Sequence, residues 1–111
     1  MDDIFNDRRV KPAVHPDHTM VGDPHYVDPR TVTWVEREPA SGFRGAKSPR
    51  WRVQHLQANE FGGSMQRSTL PMRSRRAATS AFEMIKQGHD VGAFDRRGNL
   101  LDVDVRERQR R

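Results

Sequence analysis

The sequence predicts an α+β protein: a small antiparallel sheet of two or three strands, one helix packed across its apolar face and a C-terminal β-hairpin, all preceded by an extended N-terminal arm. Three observations predict it. β-Branched and aromatic residues concentrate in short runs at 31–37 and 51–56. Apolar residues then recur at helical spacing at Ala78, Phe82 and Ile85. Glycine- and proline-containing loops separate these stretches. At 111 residues the chain has the length of one domain. We divide it into an arm (1–30), an α+β domain (31–105) and a charged tail (106–111).

The arm contains Pro12, Pro16, Pro24 and Pro29, six aspartates and few large apolar groups. Proline fixes φ, removes a donor and pushes the preceding residue out of the helical region, so an extended segment is expected. Ile4, Phe5, Tyr26 and Val27 are its candidate anchors for docking on a partner. Thr31-Val32-Thr33-Trp34-Val35-Glu36-Arg37 reads as the first strand. A loop rich in Pro, Ser and Gly follows. Trp51-Arg52-Val53-Gln54-His55-Leu56 reads as the second strand, with Trp51 and Val53 inward and Arg52, Gln54 and Leu56 on a mostly polar outer face. Gly62-Gly63 marks a turn into a third strand at 65–70.

Around Ala78, Phe82 and Ile85 the residues Ala77, Ala81 and Met84 widen the helix's apolar stripe. Thr69 or Ser74 is its expected cap, Pro71 suits a first turn and Gly88 is its stop. The closing hairpin is expected to turn at Arg96-Arg97-Gly98-Asn99 and return with Leu101, Val103 and Val105 on one face. The expected core is Val32, Trp34, Trp51, Val53, Ala78, Phe82, Ile85, Phe94, Leu101 and Val103. In outline, two or three strands followed by a helix resembles the arm-binding domains of tyrosine recombinases; no residue motif of that family is present.

Charge points toward function. Residues 37–76 carry nine basic side chains against Glu38 and Glu60, a balance of 9 − 2 = +7, whereas the whole chain carries +5. Charge gathered in one stretch implies a polyanionic or acidic partner. Arginine, used 17 times against Lys11, Lys47 and Lys86, has the planar fork that suits phosphate and carboxylate. The candidate nucleic-acid contacts are Arg44, Lys47, Arg50, Arg52, Arg67, Arg73, Arg75 and Arg76, with Gln54 as a base reader. Arg73, Arg75 and Arg76 stand at the helix entrance, where the macrodipole disfavours cations by about 0.3–1 kcal/mol each and an anion reverses the sign.

Other chemistries find less footing. The chain has no cysteine, so disulfides and thiolate metal sites are excluded. His15, His18 and His25, interleaved with Asp17, Asp23 and Asp28, match no zinc-ligand spacing. Gly42-Phe43-Arg44-Gly45-Ala46-Lys47-Ser48 fails the phosphate-loop pattern, since two rather than four residues separate its glycines. No nucleophile-elbow motif occurs. A non-enzymatic protein without metal or cofactor is therefore expected. No apolar run spans a bilayer and no leader resembles a signal peptide, so the expected setting is the cytoplasm, or a nucleoprotein or viral particle. Two functions are expected from these features: a small basic accessory protein that binds nucleic acid, or a structural or adaptor subunit that docks into a larger assembly through its arm.

Overall fold

The computed structural model describes residues 9–40 and 49–101. Four antiparallel strands form a meander in the order β1 (Thr19–Asp28), β2 (Thr31–Glu38), β3 (Arg50–Ala58) and β4 (Ser64–Ser68). Helix α1 (Arg75–Lys86) packs on β2 and β3, and a 3-10 turn at Val91–Ala93 closes beside β3 and β4.

The first correction concerns strand number. The sheet has four strands, and the additional one lies inside the stretch expected to be an extended arm. Thr19-Met20-Val21 and His25-Tyr26 pair with β2, while Gly22-Asp23-Pro24 bulges between them, with Gly22 at φ 72. Proline is tolerated here because β1 is an edge strand and needs no donor on its open side. Asp28 accepts from the Arg30 amide at 2.8 Å and helps to close the tight turn into β2.

Both faces of the sheet are covered. On one side Val35 and Val53 meet Met72, Ala78, Ala81, Ile85, Val91 and Phe94. On the other, Val32, Trp34 and Leu56 are packed by Val10, Val14, Met20 and Tyr26. The Tyr26 hydroxyl donates to the Val10 carbonyl at 2.6 Å, and the Val10 amide donates to the Pro29 carbonyl at 2.7 Å. Residues 9–18 are thereby strapped across the sheet. This explains why β2 is buried from Thr31 to Glu36, which an open-faced sheet would not allow.

The expected core accordingly divides in two. Val32 and Trp34 belong to the arm side, whereas Trp51, Val53, Ala78, Phe82, Ile85 and Phe94 belong to the helix side. The outer face of β3 is not solvated: Gln54 is 8% exposed and Leu56 6%. The third expected strand is β4, which ends at Ser68 and leaves Leu70 exposed.

The helix forms where its periodicity placed it. Ser74 caps it, its hydroxyl accepting from the Ala77 amide at 3.0 Å, and Gly88 (φ 113) ends it. The C-terminal hairpin is the second correction. Val91–Ala93 is a 3-10 turn capped by Asp90, and among the described residues a single bridge, Phe94 to Leu100, spans the turn at 95–99. Asp95 explains the local winding, because its carboxylate accepts from the amides of Arg97 and Asn99 at 2.8 and 2.9 Å. Leu101 is exposed rather than core; Val103 and Val105 lie outside the described residues. No helix among the described residues is long and apolar enough to cross a membrane.

Candidate functional site

The sheet register gathers arginines at one end of the molecule. Arg37 pairs with Trp51 and Glu38 with Arg50, so the end of β2 and the start of β3 coincide. Trp51 also bridges Met72, which delivers Arg73 and the start of α1, with Arg75 and Arg76, to the same end. Gly98 then packs against the backbone of Ala77 in the first helical turn, bringing the turn that carries Arg96 and Arg97 to that end. Four separate segments thus contribute Arg37, Arg50, Arg73, Arg75, Arg76, Arg96 and Arg97, all exposed. None forms an ion pair among the described residues.

Among the described residues, two acids near this end are already engaged. Glu38 pairs with Arg52. Asp95 is held below the usual carboxylate range, chiefly by its bond from the Asn99 amide and further by that from Arg97. The first turn of α1 contains no acid, so no side chain of that turn offsets the like sign of helix dipole and guanidiniums. The Arg37 guanidinium lies 5.8 Å from the centre of the Trp51 ring, and the Trp51 indole N–H is buried without a partner among the described residues.

The sequence-derived site residues separate into groups. Arg50, Arg73, Arg75 and Arg76 come together at this end, joined by Arg37, Arg96 and Arg97, which the sequence reading had not assigned to the site. Arg44 and Lys47 lie outside the described residues. Arg52 is half-buried on the arm side, and Gln54 beside it accepts from the Gln66 amide at 3.3 Å, so neither presents a free face. Arg67 sits on the helix side in a two-pronged pair with Asp90 at 2.5 and 2.7 Å. That pair raises the guanidinium pKa and lowers the carboxylate's, each mainly through the shared hydrogen bond. Among the docking anchors, Tyr26 is engaged with the protein's own arm, Val27 is exposed, and Ile4 and Phe5 lie outside the described residues.

A second polar feature was not read from the sequence. Glu36 is 2% exposed on the arm side and bonds His18 Nδ1 at 2.6 Å, while the Trp34 indole N–H donates to it at 2.7 Å. His15 lies 4.5 Å from His18, ring centre to ring centre, and a cleft of about 470 Å³ opens between these histidines, Glu38, Arg52 and Gln54. His25 pairs across β1–β2 with Thr33 on the helix side, away from them. The strand alternation that puts Glu36 on the face of Trp34 was the available signal, but nothing in the sequence marked that face as covered. The His18 bond fastens the arm to the buried carboxylate, while the Trp34 indole holds that carboxylate from within β2.

No protein-family model, curated protein or solved structure gives a significant match to this chain.

Proposed function

We propose that the protein is a small, non-enzymatic nucleic-acid-binding accessory protein whose arginine-bearing end contacts phosphates. The observation that carries this reading is the convergence of seven exposed arginines, without ion-pair partners among the described residues, from segments far apart in sequence. Gathering like charges opposes the compact state unless a counter-charge is bound. Guanidinium forks and the helix start are both suited to phosphate oxygens. The contact assigned is to backbone rather than bases, because Gln54 is buried and Arg52 is half-buried and paired with Glu38. The setting proposed is the cytoplasm or a nucleoprotein particle.

Fluorescence-anisotropy titration with a labelled duplex and a labelled single strand tests the reading. Binding that weakens alike on every sequence after the combined change Arg73→Ala, Arg75→Ala and Arg76→Ala supports it. Unchanged affinity in that variant removes the helix entrance from the interface. The alternative reading is a structural or adaptor subunit docking through its N-terminal arm, of whose anchors Val27 is exposed and Ile4 and Phe5 lie outside the described residues.

A further inference from the structure

The two edges of the sheet are built differently. β1 is interrupted at Gly22-Asp23-Pro24 and shifts register again between Tyr26 and Asp28, devices that keep an edge from pairing. β4, Ser64-Met65-Gln66-Arg67-Ser68, has neither proline nor bulge, and all five residues are exposed.

Its hydrogen-bonding groups can be assigned from the register. The Thr69 amide donates to the Val53 carbonyl and the Asn59 amide to the Gly63 carbonyl, so odd-numbered residues face β3. The amides and carbonyls of Ser64, Gln66 and Ser68 therefore point to the outer edge, which no strand pairs among the described residues. Apolar surface collects beside them. Of the six large exposed hydrophobics among the described residues, Phe61 (87%), Met65 (66%) and Leu70 (49%) lie on β4 or at its ends.

We infer that β4 pairs antiparallel with β4 of a second copy of this chain, about a two-fold axis through Gln66. This register matches every outward group: Gln66 with Gln66 of the partner copy, and Ser64 with Ser68 in both directions. It also sets Met65 beside Arg67 across the axis, so the apolar stem of one packs on the thioether of the other and no like charges oppose. Arg67 is the only charge on the strand and is already neutralised by Asp90. The +5 chain therefore meets its copy at an electrically quiet place, whereas its arginine-bearing end would repel one. The pairing uses none of the arginines assigned to phosphate contact and stands or falls apart from that reading.

Sedimentation velocity of the wild-type chain across a concentration series is expected to show a monomer–dimer equilibrium, and a monomer at every concentration overturns the proposal. The register is tested by cross-linking, which the absence of native cysteine makes clean. A short bifunctional thiol reagent should join Gln66→Cys to itself, where paired Cα atoms stand about 5.5 Å apart. It should not join Ser64→Cys to itself, since those positions lie about 13 Å apart by strand rise. A mixture of Ser64→Cys and Ser68→Cys should join. Equal yields for Gln66→Cys and Ser64→Cys alone overturn the two-fold at Gln66. These exposed positions test the pairing without disturbing either core.

Discussion

Gly98 shows how a single residue positions the candidate interface. It holds φ 80, and a Cβ there would sit 2.5 Å from the Ala77 carbonyl oxygen. Gly98→Ala is therefore expected to cost about 1–3 kcal/mol through backbone strain and overpacking. Urea unfolding checks this; an unchanged midpoint would mean that the turn carrying Arg96 and Arg97 does not rest on the helix. His55 gives a pH-dependent effect. Burial, then the Arg67 cation, lower its pKa below the ordinary 6.5, with Asp90 opposing. A depressed histidine pKa means that the unfolded chain takes up a proton the folded chain resists, so stability is full above 6.5 and falls as pH drops below it. His55→Gln should flatten unfolding free energy against pH on the acid side of neutrality, and an unaltered slope would contradict the assignment. Some residue roles were legible beforehand: Ser74 as cap and Gly88 as stop follow from local backbone chemistry. The burial of Glu36 was not, because it depends on what covers its face of the sheet.

At the scale of elements, the segment before β2 decides the architecture. Its prolines and aspartates read as an extended arm outside the sheet, yet Thr19–Asp28 is an edge strand and residues 9–18 cover Val32, Trp34 and Leu56. Proline argues against a central strand, and the sequence alone does not distinguish a central strand from an edge. The helix was legible because a 3.6-residue apolar period over twelve residues has few alternative readings. The closing hairpin was misread because Val91 and Phe94 are apolar for the sake of the core, not of a strand face. The covering role of the arm predicts that Val10→Ser with Val14→Ser loses about 1–2 kcal/mol, the two side chains being half-buried. Trp34 is fully buried beneath them, so tryptophan emission should shift to the red in that variant at low denaturant. Emission and stability like the wild type would show that the arm is not part of the core. Deleting residues 1–28 removes β1 as well, so loss of activity after that deletion would report a broken sheet rather than a lost docking arm.

At the scale of the molecule, the stretch of high charge in the sequence and the charged end of the fold overlap without coinciding. Arg52 and Arg67 belong to the stretch but are paired with Glu38 and Asp90; Arg96 and Arg97 lie beyond it but join the end through Gly98. Sequence distance reported the existence of a basic region, and strand register with helix placement determined its members. The central claim is that this end neutralises phosphates, and counterion release makes it directly measurable. The measurement is duplex affinity against salt, between about 50 and 200 mM, for the wild type and the triple variant of Arg73, Arg75 and Arg76. The account predicts a steep logarithmic slope for the wild type and one shallower by about 0.9 per lost contact, close to ~2.7 in all, for the variant. No binding at the lower salt, or equal slopes for the two proteins, would contradict it.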